Sequence, residues 1–420
     1  MSALLMLAAR SAWNRRFVLG LVVLSIALST LLLLGIERLR QDVRQNFQQA
    51  VSGTDLIVGP RTGPVELLLY AVFRIGNASN SIRYSSVEML TRHRAVDWVV
   101  PLSLGDSHRG FTVLGTSTGY FDHFRYGDRQ PLVLAQGQRF DGVFDAVIGA
   151  EVAQALGYRL GQAIVLAHGD GAMEANDHAD KPFTVVGILA PTGTPVDRSV
   201  HISLQGMAAM HLDWAAGVPL PGQAVSAPQA AAADLTPHTV TAALVGLKSR
   251  AAVFAVQRDV AAFRGEPLLA ILPGVALDQL WDVVALGERG LQAMSALVAV
   301  VSLTALVAVI AAGLNERRRE LAILRTVGAG PRQMLLLLAL EGALVTGLGV
   351  LIGAAACWGA VALLGPWVQS RFGIALHLQA PASAEWRWIA ALLAGGLLAS
   401  LVPGWRAYRL SLADGLSPRT

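Results

Sequence analysis

"NERRRELAILRTVGAGPRQ", residues 315–333, places five arginines and two glutamates between two stretches made almost entirely of Leu, Val, Ala and Gly. The chain is 54% hydrophobic and only 15% charged, well below the roughly 25% charged residues of an average soluble protein. Its apolar residues gather towards the two ends, while the middle has ordinary soluble composition. The charged stretch therefore reads as a short loop between two membrane crossings, and the fold follows from locating the others.

A helix needs about 20 apolar residues to cross the hydrocarbon core. "FVLGLVVLSIALSTLLLLGI", residues 17–36, meets that need. Its apolar run exceeds the roughly 7–15 residues of a signal peptide and no A-x-A-like cleavage site follows, so it reads as an anchor. Further spans fit residues 291–314, 335–364 and 388–402. The run at 335–364 is longer than one crossing requires and is expected to tilt or to begin as an interfacial helix. Cytoplasmic flanks collect Lys and Arg. Arg10, Arg15 and Arg16 precede the first span, the five loop arginines separate the second from the third, and Arg406, Arg409 and Arg419 follow the fourth. Between the third and fourth spans there are only Arg371 and Arg387. Residues 1–16, 315–332 and 403–420 are thus expected in the cytoplasm, with 37–290 and the short loop 365–387 outside. The fold class that follows is a four-helix membrane protein with a large extracytoplasmic mixed α/β domain inserted between helices 1 and 2.

Read as a helix, "RRRELAILRTVGAG" puts Leu321, Leu324 and Val327 on one stripe and Arg318, Arg319 and Arg325 elsewhere around the axis. Gly328, Gly330 and Pro331 end it. From the pattern alone, such an amphipathic piece is either an interfacial anchor or a docking element. The longer segment "NERRRELAILRTVGAGPRQMLLLLALEGALVTGLGVLIG" resembles the signature segment of FtsX-like permeases, the membrane subunits of MacB-like and LolC/LolE-like ABC systems. The C-terminal "PGWRAYRLSLADGL", with Pro403, Arg406 and Arg409, is similar to that family's ending. The resemblance implies that Glu316, Arg317, Arg318, Glu320, Leu324, Arg325 and Gly328 touch a cytoplasmic ATPase dimer. It implies a second permease copy, identical or related, and a bacterial cytoplasmic (inner) membrane location. It leaves open an adaptor or substrate-binding protein outside the membrane.

The inserted region begins with helical polarity in "QDVRQNFQQAV" and ends with "LDQLWDVVALGERGLQAM", residues 277–294, so both flanking spans are expected to extend as stalk helices. Between them the β-like runs "DLIVG", "FTVLG", "DAVIG", "AIVLA" and "FTVVGIL" alternate with the helical pieces "GAEVAQALGYRLG" and "LQGMAAMHLDW". Their succession resembles the periplasmic core domain of MacB-like permeases. The Ala/Pro-rich stretch 215–237 reads as a solvated loop.

Several stretches bear on chemistry. "GTSTG", residues 115–119, matches the G-x-S-x-G pattern that exposes a nucleophilic serine, but no oxyanion-hole motif accompanies Ser117, and a strand-ending turn explains it. "HGDGAMEANDHADKPF" carries His168, Asp177 and His178 as candidate metal ligands, since imidazole with carboxylate suits a divalent transition metal such as zinc; a polar hairpin is the bland alternative. Glu341 falls near the cytoplasmic end of the third span, where an acid is less costly than at the centre. Small residues at four-residue spacing, Gly349 and Gly353 in span three and Ala391, Gly395 and Ala399 in span four, allow close helix packing within one subunit or between two.

The lone cysteine, Cys357, excludes an intrachain disulfide. The net charge of +4 forms no basic stripe for nucleic acid. No G-x-x-x-x-G-K-[ST] occurs, so these residues cannot build the loop that cradles nucleotide phosphates. ATP and magnesium are expected in a partner chain, and no catalytic residue is assigned here. The leading expectation is an ABC permease subunit that passes work from the ATPase to the outside domain. The alternatives are a signalling scaffold that activates a cell-wall hydrolase and the permease of a metal-acquisition system.

Overall fold

The computed structural model describes residues 16–50, 52–76, 78, 80–169, 178–215, 218–219, 225–316, 330–372, 376 and 378–409. The chain divides into two units. The first holds the stretches 1–42, 284–367 and 376–420, and the second holds 43–283 with 368–375.

Among the described residues, four helices are long and apolar enough to cross a membrane: Arg16–Gln49, Pro273–Glu316, Pro331–Phe372 and Ser383–Arg409. Each is longer than the crossing expected within it. In the first unit their packed faces interlock through Leu19, Val22, Ile26, Leu306, Ile310, Leu338 and Val345, all buried, while Phe17, Leu24, Leu351 and Leu398 remain exposed. Large apolar side chains turned outward are what a lipid-facing helix requires.

The second unit is built on an eleven-stranded mixed sheet. Its strands are β1 Leu56–Pro60, β2 Val96–His108, β3 Phe111–Thr116, β4 Leu134–Gly137, β5 Asp145–Ile148, β6 Ala163–Ile164, β7 Ala167–His168, β8 Phe183–Leu189, β9 Ser199–Ser203, β10 Ala242–Leu247 and β11 Leu268–Ile271. The spatial order is β11-β1-β10-β2-β3-β9-β5-β8-β4, with β7 on β2 and β6 on β8. The β3–β9 and β5–β8 pairs are parallel and the rest antiparallel.

Successive side chains of a strand point to opposite faces, and here both faces are covered. Ile57 and Leu244 enter a core with Leu67, Leu68 and Tyr120, whereas their neighbours Leu56, Val58, Ala243 and Val245 enter one with Val87, Leu90, Val256 and Val260. Further along the sheet, Val113, Ile148, Val185 and Ile202 pack with Val152, Met207 and Met210. Phe47, near the end of the first helix, stacks on Phe73 with ring centroids 4.1 Å apart and meets Trp281 edge-on. Both expected stalk segments are thus helical, and their outer residues belong to the core of this unit. The expected runs at "DLIVG", "FTVLG", "DAVIG" and "FTVVGIL" are strands, "AIVLA" divides into β6 and β7, and the two expected helical pieces form Ala150–Leu156 and Leu204–Met210.

Candidate functional site

Helix packing in the membrane unit is set by glycine. A Cβ on Gly353 would lie 2.4 Å from the Ala27 carbonyl oxygen, and one on Gly349 would lie 2.8 Å from Ile26 Cβ. The third helix therefore meets the first at backbone distance within the chain. Gly395 packs against Leu303 of the second helix. Ala391 is exposed and Ala399 half-buried, and the closest approach on the fourth helix is instead made by Gly396, against Thr346. Ser25 and Ser29 share Ser302 as hydrogen-bond partner, at 2.7 and 3.0 Å, tying the first helix to the second.

The same unit buries a charged network. Arg38 lies 3.7 Å from Asp42 and 3.5 Å from Glu385, and its guanidinium donates to the Gln379 carbonyl at 3.1 Å. Glu37 accepts from Arg40 at 2.7 Å and from Gln41 at 2.8 Å. A buried charge is costly unless it is paired; the Arg38–Glu385 pair joins the first helix to the fourth, while the Arg38–Asp42 and Glu37–Arg40 pairs lie within the first. The sequence reading missed this network; its signal was the run of charges 37–44 directly behind an apolar span. Glu341, placed by its sequence position near the cytoplasmic end of the third span, is buried. Of the expected ATPase-contacting residues, Glu316 ends the second helix, while Arg317, Arg318, Glu320, Leu324, Arg325 and Gly328 lie outside the described residues.

A second grouping lies in the α/β unit, where Asp106, His168, His178 and His211 bring one ligand atom each within 4.8 Å of one another. The sheet builds it. Antiparallel pairing of β7 with β2 sets His168 opposite Asp106. The β2–β3 register shifts between Leu104 and Asp106, with Gly105 at φ +147°, a conformation that suits glycine; such a bulge re-aims the side chain beside it. His211 follows the helix Leu204–Met210, whose start is capped by Ser203 accepting from the Gly206 amide at 2.9 Å. His178 is pinned through its own amide, which donates to the Leu166 carbonyl at 2.8 Å. Fully buried Lys181 ties the two histidine-bearing segments together by donating to Asp213 at 2.7 and 2.8 Å.

His168 Nδ1 lies 2.9 Å from Asp106 Oδ1, and His211 Nε2 lies 3.3 Å from the same oxygen. Burial alone would raise the Asp106 carboxyl, but the two imidazoles outweigh it and hold it down at about 2. The hydrogen bond to Asp106 raises His168. Burial first, then the neighbouring His211, pushes His178 down to about 4, so it is neutral at physiological pH. Among the described residues, neither of its ring nitrogens has a hydrogen-bond partner, although the side chain is 0% exposed. Leaving a buried polar group unsatisfied costs about 1–3 kcal/mol. A cavity of about 500 Å³ reaches the grouping and is lined by Asp106, His168, Tyr70 and Arg74. Expected ligands His168 and His178 thus lie together, Asp177 lies outside the described residues, and Asp106 and His211 join from distant segments. Ser117 follows β3 in a turn, and among the described residues it has no hydrogen bond to a histidine or carboxylate.

Comparisons with known proteins agree with this division. The MacB-like periplasmic core domain matches residues 18–263, and the FtsX-like permease C-terminal region matches residues 293–413. Among solved structures, the chain is similar to the periplasmic region of MacB from Actinobacillus actinomycetemcomitans, at 10% identity and a TM-score of 0.35, over 56% of this chain and 95% of that one. It is also similar to the extracellular domain of the noncanonic ABC-type transporter YknZ from Gram-positive bacteria, at 14% identity and a TM-score of 0.31, over 52% and 98%. No curated protein matches.

Proposed function

Because the chain belongs to the MacB-like, FtsX-like permease family of ABC transporter membrane subunits, we propose that it couples ATP hydrolysis by a separate cytoplasmic ATPase to work in the α/β domain. The observation that carries this reading is the length of the first two spanning helices. They have 34 and 44 residues, so at 1.5 Å per residue they measure about 51 and 66 Å against a hydrocarbon core of roughly 30 Å. A helix without a break transmits displacement, where a Gly/Ser linker would absorb it.

In this reading the arginine-rich stretch 315–332 faces the cytoplasm with both termini, as the distribution of Lys and Arg supports, and the membrane is the bacterial inner membrane. Two permease copies, identical or related, sit on an ATPase dimer that holds ATP and magnesium. Closure of the ATPases pushes on Glu316, Arg317, Arg318, Glu320, Leu324, Arg325 and Gly328. The chain itself carries out no bond-breaking step. What it moves is set by the outside domain and its partners.

Co-purification tests this. The chain is expressed with the ATPase encoded beside it, as wild type and with Glu320→Arg and Leu324→Glu combined. Retention by wild type and loss by the folded, membrane-inserted variant is the expected result. Retention by both places docking elsewhere, and retention by neither returns the stretch to an interfacial anchor and favours a signalling scaffold.

A further inference from the structure

We propose that Asp106, His168, His178 and His211 form a binding site for one divalent transition-metal ion of the zinc class. Three imidazoles and one carboxylate are the donor set that zinc takes in four-coordinate sites. One oxygen among three nitrogens does not suit calcium or magnesium, which take mostly oxygen ligands, and the lack of any sulfur disfavours copper(I).

The spacing fits. Donor atoms around a tetrahedral ion with bonds of about 2.0–2.1 Å stand roughly 3.3 Å apart. Here the Asp106 oxygen stands 2.9 Å from His168 and 3.3 Å from His211. The widest separation, within 4.8 Å, closes by about 1.5 Å to reach that tetrahedral distance.

The surroundings are those of a built site. The Met207 carbonyl, 3.0 Å from His211 Nδ1, can only accept, so Nδ1 carries a proton and Nε2 is the nitrogen turned towards Asp106. A histidine ligand is oriented in this way by a partner for its other nitrogen. The Lys181–Asp213 pair and the Leu166 carbonyl hold the histidine-bearing segments in place without help from an ion. The cavity at Asp106 and His168 supplies the entry path that a metal site needs.

Hydrogen bonding alone does not account for the grouping. It explains Asp106 with His168 and leaves both nitrogens of His178, fully buried against His211 and Trp214, with nothing to bind. A buried group of that kind calls for an ion or a water, and with a carboxylate and two more imidazoles within reach, an ion satisfies all four at once. The inference does not depend on which ATPase the chain docks.

The test uses the full-length protein in detergent micelles, stripped with a chelator and titrated with zinc against a chromophoric competitor, then with cobalt(II) as a spectroscopic reporter. One zinc per chain is expected, with a visible cobalt spectrum of four-coordinate type. His178→Gln and His211→Gln are each expected to weaken zinc binding by more than about 100-fold, beyond the roughly 10–100-fold cost of losing a supporting outer group. His238→Gln, at an exposed histidine outside the grouping, leaves affinity unchanged. If His178→Gln fails to fold, half-exposed His168→Gln reports the same loss. A folded wild type that takes up no stoichiometric zinc overturns the proposal, as do His178→Gln and His211→Gln variants that bind like wild type or cobalt bound only in six-coordinate form.

Discussion

Removing the Arg38 side chain should destabilise the membrane unit more than any other single change in its charged network. Arg38 sits between two buried carboxylates, 3.7 Å from Asp42 and 3.5 Å from Glu385. At an effective dielectric near 20, unit charges at such distances attract by roughly 4–5 kcal/mol per pair. Desolvation, at several kcal/mol per ion, offsets much of this, so the intact network contributes little net stability. Arg38→Met keeps the desolvation cost of both acids and removes the attraction, and the expected loss is about 3–5 kcal/mol. The Gln379 carbonyl also loses its donor. Thermal unfolding of the purified protein in one detergent, followed by loss of the monodisperse peak, should register a fall on the order of 10 °C. The triple variant Arg38→Met, Asp42→Leu, Glu385→Leu should recover most of it, because exchanging a whole buried ionic group for apolar residues is close to neutral. Arg38→Lys should fall between, since a point charge cannot serve three acceptors as a planar fork does. A single variant that melts within about 2 °C of wild type, or a triple variant no better than the single, would refute the argument.

Gly353→Val should cost more than Gly347→Val. At Gly353 an added Cβ meets a backbone carbonyl at 2.4 Å, whereas at Gly347 it meets nothing within 4 Å; overpacking costs about 1–3 kcal/mol or more, and the same melting assay reads the difference. His201 governs part of the acid response of the α/β unit. Burial, reinforced by the Arg74 cation, pushes it down to about 3, below the ordinary value near 6.5. Its contribution to stability is complete above pH 6.5 and is lost as pH falls from 6.5 towards 3. Between pH 7 and 5 the loss is about 2 kcal/mol. His201→Gln, which still can donate to the Val147 carbonyl, should flatten the dependence of melting on pH in that range; an unchanged slope removes His201 from the account.

The spans were legible because a hydrocarbon core demands a long apolar run that little else explains. The strands carrying β-branched pairs, such as "DLIVG" and "FTVVGIL", were legible too. The long strand β2 was not, because Pro101 and Gly105 read as breaks. Pairing with β10 on one side and β3 on the other overrides that local preference, with the Gly105 bulge absorbing the irregularity. The Ala-rich β10 carries weak strand propensity, and its place is set by burial between β1 and β2. In the histidine grouping, His168 and His178 were visible because they stand ten residues apart in one polar stretch. Asp106 is 62 residues from its partner His168, and His211 ends a helix whose apolar face is read for packing alone. Sheet register brings them together, and register is not written in any short window of sequence.

The two buried polar groupings differ in a way that separates a structural role from a binding one. Around Arg38 opposite charges face one another, within the first helix and across to the fourth. Around Asp106 three imidazoles converge on one carboxylate, and His178 brings two nitrogens that no group among the described residues hydrogen-bonds. The first arrangement pairs charge with opposite charge, so its loss is read in stability. The second gathers three imidazoles and a carboxylate beside a cavity, and converging ligand atoms in a preformed cage favour a cation. Polarity and burial are common to both. The distinguishing feature is the partner each group meets: in the membrane network cations meet carboxylates, whereas in the histidine grouping ligand atoms converge on one another, so the first holds the helices while the second is built to take something in.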